Sequence, residues 1–228
     1  MIPVIRPRIL HDYPHDTYAF TQGLLVHDGT MYESTGLEGQ SSIRQVDIVS
    51  GNLRLQCNLP RPYFGEGITI LYDQLYQLTW KHQIGFRYDA QTFQLLGRFY
   101  YPTEGWGLTN DGHHLIMSDG TNELRYRDTD GKWIKTLYVF ATSFPFSPTV
   151  FRLNALQYIQ GYIYANIWLT PYIAKIDPVN GQVVAWIDLS QLVKANPEEC
   201  ANGIAYDSLQ NRIYVTGKNW SSLYEIQW

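Results

Sequence analysis

A small residue preceded by a distinctive one recurs along the chain at Gln22-Gly23, Glu66-Gly67, Trp106-Gly107, Asn154-Ala155 and Asn202-Gly203. The steps between the small residues are 44, 40, 48 and 48, the span of a four-stranded propeller blade. A repeat of this length is a supersecondary unit that buries its apolar face only against its neighbours, so it restricts the fold more than any local motif does. Nine residues past the small residue stands an apolar position in four units, Tyr32, Tyr76, Ile116 and Tyr164, and in the fifth Tyr214 stands eleven past it. Turn formers such as Asp28-Gly29, Asp111-Gly112 and Gln160-Gly161 lie between. The first two strands of each unit therefore read as a short hairpin.

A third strand ends on Asp47, Asp89, Asp128 or Asp177, and a turn leads to a fourth strand over 53–59, 94–100, 133–139 or 183–189. Gly51, Gly131 and Gly181 supply the bend in three of these units. Unit five runs out at Trp228 after its third strand, while the strand-like segment 4–11 precedes unit one. The expectation is an all-β, five-bladed β-propeller spanning 1–228 as one domain, its ring closed by pairing the N-terminal strand with the C-terminal blade. Such closure leaves only short, protected edges. The stretches 140–153, rich in Phe and Pro, and 190–201, a short helix or turn, fall outside the pattern.

Composition agrees with strands and removes several function classes. Aromatic residues make up 15% and charged residues 17%, with 18 Tyr, a mixture suited to pleated, half-buried surfaces. A net charge of −4 with no run of Lys or Arg leaves no footprint for nucleic acid. No apolar stretch reaches membrane-span length, and residues 1–10 hold two Arg and two Pro where a leader would need an apolar block. The reading is a soluble chain, cytoplasmic if complete and secreted or periplasmic if a leader has been removed. Cys57 and Cys200 lack zinc-ligand spacing and read as two separate buried thiols.

In a propeller the first strand of each blade lines the central channel. Its register makes a ring of Gln22, Glu66, Trp106, Asn154 and Asn202, and a second tier four residues past the aligned apolar position contains Gly36, Trp80, Gly120, Trp168 and Lys218. A purely structural channel would favour small or aliphatic lining. Trp106 and Trp168 are also open to a core packing role, and Lys218 to that of a solvated rim charge. His113-His114 reads as an exposed turn, and His11 and His15 share helical spacing in a segment that is not helical, which argues against a shared metal. There is no G-x-S-x-G elbow, Walker motif or dinucleotide glycine pattern. A single Glu without a Ser or Cys partner suits proton transfer, Asn and Lys suit an oxyanion, and Trp faces suit a small uncharged side chain. The chemistry implied is acyl transfer in which the substrate brings its own nucleophile.

The segments Phe20-Thr21-Gln22-Gly23-Leu24, Tyr32-Glu33-Ser34-Thr35-Gly36, Phe64-Gly65-Glu66-Gly67, Leu78-Thr79-Trp80-Lys81, Glu104-Gly105-Trp106-Gly107-Leu108-Thr109, Ala165-Asn166-Ile167-Trp168 and Asn202-Gly203-Ile204-Ala205-Tyr206 together resemble the plant and bacterial type of glutaminyl-peptide cyclotransferase. The resemblance spans nearly the whole chain in order. It implies a five-bladed propeller that converts the N-terminal Gln of a peptide or protein to pyroglutamate, releasing ammonia without zinc. No other cofactor is expected, and the chain is expected to act as a monomer. It places the catalytic carboxylate on Glu66, the oxyanion-binding amide and ammonium on Asn154 and Lys218, and the pocket on Phe20, Gln22, Phe64, Trp80, Trp106 and Trp168. Asn202 joins the substrate-binding set from the ring. One departure stands out: where the family usually has Asn-Glu-Leu-Glu, this chain has Asn154-Ala155-Leu156-Gln157.

Two other readings use the same residues. Glu66, Asn154, Asn202 and Gln22 offer oxygen ligands for a Ca²⁺-dependent hydrolase of the lactonase sort. A peptide-binding propeller that has lost turnover is the other.

Overall fold

The hairpin spacing of the repeats builds antiparallel meanders, and five of them form the ring seen in the computed structural model, which describes residues 1–228 apart from 144, 146, 147, 194 and 195. The innermost strands of blades 1 to 5 are Thr21–His27, Gly65–Leu71, Leu108–Asn110, Leu153–Ile159 and Ala201–Asp207. Each packs beside the next around the axis, and the fifth packs beside the first. The five-bladed propeller expected from the repeat spacing is the observed fold.

Close approach at the axis explains the repeated small residue. A Cβ on Gly67 would lie 2.4 Å from Leu108 N, and one on Gly107 would lie 1.9 Å from Asn154 O. Gly67 N donates across the blade boundary to Trp106 O at 2.7 Å. A side chain here would push adjacent inner strands apart. The repeated Asp has a separate cause, because it caps the turn between the third and fourth strands. Asp47 Oδ1 accepts from Ser50 N and Oγ at 2.9 and 2.8 Å, and Asp89 Oδ1 accepts from Thr92 N and Oγ1 at 2.8 Å. These are Asx turns, with the carboxylate standing in for a backbone acceptor. In blade 2, where the sequence offers no Gly for the bend, Phe93 takes it at φ 57°.

Between blades, inward-facing residues of neighbouring sheets interdigitate. Leu25, Ile43, Ile68, Leu75 and Phe86 fill one such boundary, and Tyr76, Leu78, Phe99, Leu108 and Met117 another. Burying each of these large side chains stabilises the fold by roughly 1.5–3 kcal/mol.

Ring closure follows the expected pairing with a changed boundary. Arg8–Pro14 pairs antiparallel with Ser222–Gln227 and supplies the fourth strand of blade 5. The expected 4–11 strand is, however, split: Val4–Ile5 pairs parallel with Val183–Asp188 as a fifth strand of blade 4. Pro7 lies between the two pieces and has no N–H to donate, so the chain leaves one blade edge there and joins the next. The other outer strands are Leu53–Asn58, Leu95–Tyr100 and Trp133–Tyr138, each within a residue of expectation at both ends.

Of the stretches outside the pattern, 140–153 bridges Phe140 to Thr149 and Gln182, while its residues 144, 146 and 147 lie outside the described residues. In 190–201 the 3-10 turn Pro197–Glu199 forms, and 194 and 195 lie outside the described residues. Cys200 is buried as expected, but Cys57 is half-buried because it stands on an outermost strand; both are free thiols. No helix among the described residues is long and apolar enough to cross a membrane.

Candidate active site

The four polar ring residues sit at a common irregularity. The ladder between first and second strands shifts register between Thr21 and Gly23, Gly65 and Ile68, Leu153 and Leu156, and Ala201 and Ile204. One extra residue in the inner strand makes a β-bulge, which releases a side chain from the alternation and turns it toward the axis. Gln22, Glu66, Asn154 and Asn202 are the residues at these bulges. Blade 3 differs: its inner strand begins at Leu108, and Trp106 is held ahead of it by a bond from its N to Ser118 O at 3.0 Å.

The second tier closes over the first. Trp80 N donates to Phe64 O, Trp168 N to Arg152 O and Lys218 N to Cys200 O, at 3.1, 2.9 and 3.0 Å. The two glycines of this tier leave room for rings. A Cβ on Gly36 would lie 2.4 Å from the Phe64 ring, and one on Gly120 would lie 2.7 Å from the Trp106 ring.

The result is a cavity of about 260 Å³ lined by Phe20, Gln22, Leu37, Phe64, Glu66, Trp80, Trp106, Asn154, Trp168 and Lys218. Nine of the ten residues picked out from the sequence meet there. The tenth, Asn202, does not line the cavity: it is fully buried behind Gln22, donating from Nδ2 to Gln22 Oε1 at 2.9 Å and to Thr21 O at 3.1 Å. Leu37, at φ 77°, is a lining residue that no sequence pattern marks.

Electrostatics single out Glu66. It is 5% exposed, and the one hydrogen bond to its carboxylate among the described residues is a long one, 3.4 Å from Gln22 Nε2. Burial pushes its pKa well above the usual carboxylate range, the Lys218 ammonium opposes this, and the nearby Glu104 carboxylate adds to it. Lys218 is itself buried, with Nζ 4.6 Å from the Phe20 ring centroid. Asn154 is 3% exposed with its Oδ1 unpartnered, while its backbone O accepts from Ser118 Oγ at 2.8 Å. That bond fixes the Asn154 backbone from blade 3, while Ala155 N donates to Asn202 Oδ1 and Gln157 Nε2 to Tyr158 O, both at 3.4 Å.

The oxygens that a cation ring would use are partly committed. Gln22 Oε1 accepts from Asn202, and Asn202 Oδ1 accepts from Ala155 N at 3.4 Å. Of the histidines, His113 is exposed and His114 half-buried, its Nδ1 3.2 Å from Asp111 Oδ2. His11 lies exposed on the closing strand, while the side chain of His15 is buried against Glu33, a pairing that sequence spacing does not reveal.

The family model described as glutamine cyclotransferase matches residues 1–228. A curated glutaminyl-peptide cyclotransferase from Arabidopsis thaliana is 37% identical over 227 residues, covering 96% of this chain and 70% of that protein. The crystal structure of glutaminyl cyclase from Myxococcus xanthus superposes with a TM-score of 0.92 at 35% identity, covering 100% of this chain and 98% of the other. Virginiamycin B lyase from Staphylococcus aureus shares the fold at 17% identity and a TM-score of 0.53, over 92% of this chain and 66% of that one. By model, sequence and structure together, the chain belongs to the glutamine cyclotransferase family.

Proposed function

We propose that the chain is a glutaminyl-peptide cyclotransferase that closes the N-terminal Gln of a peptide or protein into pyroglutamate and releases ammonia. The observation that carries this reading is the environment of Glu66, the carboxyl among the residues lining an aromatic cavity, its pKa raised by burial, with a buried Lys and an Asn lining the same cavity. A cavity of about 260 Å³ is smaller than the ~300–1,000 Å³ of pockets for drug-sized ligands. It suits the end of a peptide rather than its length.

In this mechanism the neutral α-amine, whose pKa is about 8, attacks the γ-carboxamide carbon. The new C–N bond forms, and the carboxamide oxygen becomes an oxyanion held by Lys218 Nζ and Asn154 Nδ2. Glu66 takes the proton released by the attacking nitrogen and gives it to the departing NH2, so the old C–N bond breaks with ammonia as the leaving group. A carboxyl lifted toward the working pH is matched to both transfers. Phe20, Phe64, Trp80, Trp106 and Trp168 surround the uncharged carboxamide chain and keep water away, and Gln22 orients the carboxyl. No step of this sequence calls for a metal.

The test is to incubate the protein with a Gln-initiated peptide and follow ammonia release and the matching mass loss. Product formation insensitive to chelators is expected. Tight binding without product would favour a binding module, and activity lost to a chelator and restored by Ca²⁺ would favour the metal-dependent hydrolase.

A further inference from the structure

Glu104 stands half-buried in the connection from blade 2 to blade 3, outside the set that lines the cavity. Two of the pocket indoles donate to one of its oxygens. Trp80 Nε1–H reaches Glu104 Oε2 at 2.8 Å, and Trp106 Nε1–H reaches the same atom at 2.9 Å. An indole nitrogen is a donor only, so a ring partly withdrawn from water is oriented by the acceptor that meets its hydrogen. Here a single oxygen meets hydrogens from two different blades.

The rest of the wall is held by edge-to-face rings. Phe20 meets Phe64 at 6.2 Å between centroids, Phe64 meets Trp80 at 5.6 Å, and Trp106 meets Trp168 at 5.4 Å. Among the described residues no ring contact joins Trp80 to Trp106, and Glu104 Oε2 occupies that step. The backbone beneath it is fixed. Gly105 N donates to Trp80 O at 2.8 Å, and a Cβ on Gly105 would lie 2.7 Å from both Thr79 O and Tyr101 Oη.

We propose that Glu104 is a positioning residue for the reaction, fastening Trp80 and Trp106 into one wall of the slot that receives the substrate's carboxamide chain. The inference rests on the activity proposed above. A carboxylate holds the two indoles more firmly than an amide, because hydrogen bonds to an ionised acceptor are shorter and stronger. Its charge has a second consequence, since it acts on Glu66 in the same direction as burial.

The two contributions separate in two variants. Glu104→Gln keeps an oxygen acceptor and removes the charge, whereas Glu104→Ala removes both. For Glu104→Ala, kcat/KM is expected to fall about 100-fold, the scale of an ångström of misplacement, and for Glu104→Gln about tenfold or less. In the Glu104→Gln protein the limb of the kcat/KM profile that belongs to Glu66 moves to lower pH, which a purely structural role would not cause. The indole ¹H–¹⁵N signals of Trp80 and Trp106, assigned with W80F and W106F, shift upfield in Glu104→Ala while that of Trp220 stays in place. Unmoved Trp80 and Trp106 signals in Glu104→Ala, or a Glu104→Ala kcat/KM within about twofold of wild type, overturn the role. Should Glu104→Ala fail to fold, Glu104→Gln decides through the same indole signals: unmoved Trp80 and Trp106 signals overturn the role and upfield-shifted ones support it. A wild-type chain that releases no ammonia removes the activity itself and the positioning role with it, a result distinct from any change confined to the variants.

Discussion

Glu33 and Glu66 are both buried glutamates, at 2% and 5% exposure, and they are bonded by adjacent residues of the innermost strand of blade 1. Thr21 Oγ1 donates to Glu33 Oε1 at 2.7 Å, and the next residue, Gln22, reaches Glu66 Oε1 from Nε2 at 3.4 Å. From there the two diverge. Glu33 also meets His15 Nε2 at 2.8 Å and has Arg44 Nη1 at 3.9 Å. Burial would raise its pKa, yet His15, Thr21 and Arg44 outweigh burial and leave it below the usual range. Glu66 has no such set, and burial dominates. A carboxylate whose lone pairs are satisfied locks the structure together, whereas one left under-satisfied has a proton to exchange.

The sharpest way to break this comparison is to neutralise each carboxyl in turn. Glu66→Gln is expected to lower turnover by about 10²–10⁴, the scale of general acid–base catalysis, as measured by ammonia release. It should also stabilise the fold at neutral pH by about 0.5–2 kcal/mol, because strained active-site groups are commonly relieved at that scale. Glu33→Gln should act in the opposite direction, destabilising by about 3–5 kcal/mol because the buried His15 loses its counter-charge. Denaturant melts of both variants check the signs. Equal destabilisation by both would show that Glu66 is a structural carboxylate like Glu33.

Much of this contrast is hidden from sequence, and the reason is physical. The repeat is legible because backbone contact at the axis excludes side chains at Gly23, Gly67 and Gly107, so the requirement falls on single positions. The tier from Trp80 to Lys218 is legible because strand periodicity carries a register forward. Bulges leave no comparable mark, and the bulge in blade 5 turns Asn202 onto Gln22 rather than into the cavity. The partners of His15 are Glu33 and, through Nδ1 at 2.6 Å, Trp220 O, the latter 205 residues away. Glu104 escapes for a related reason: its bond to Trp106 is local, but the bond from Trp80 comes from the neighbouring blade, which register does not align.

The pH dependence of stability sharpens the comparison at a smaller scale. Both ring nitrogens of His15 face acceptors, so its charged form fits the site. Burial works against that charge, but Glu33 prevails and its pKa is raised above 6.5. A raised histidine pKa means its contribution is full below 6.5 and is lost as pH climbs through the folded-state value. The lowered Glu33 contributes fully above 4.5 and loses that contribution as pH falls through its folded-state value. Glu66 has the opposite sign: its raised pKa makes the folded state lose stability as pH rises from 4.5 toward the folded-state value. Thermal melts of wild type should therefore weaken on the alkaline side, and Glu66→Gln should flatten that decline. An unchanged alkaline slope in Glu66→Gln would assign the whole decline to His15 and other groups.

Arg44 provides the smallest effect and a control on which partner Glu33 depends. Its Nη1 is 2.7 Å from Asp16 Oδ2 and its Nε donates to Ser42 Oγ at 3.0 Å, while Glu33 is the more distant neighbour at 3.9 Å. Asp16 is 41% exposed, so water screens that pair, and Arg44→Gln is expected to change stability by only about 0–1 kcal/mol. His15 sits closer to Glu33 and is better buried, so removing its ring should approach the effect of Glu33→Gln. If Arg44→Gln instead matched Glu33→Gln in denaturant melts, the guanidinium would be the counter-charge that keeps Glu33 ionised. The difference between the two glutamates would then lie in access to a permanent cation, and His15 would be a neutral spacer in the closing strand's contact with blade 1.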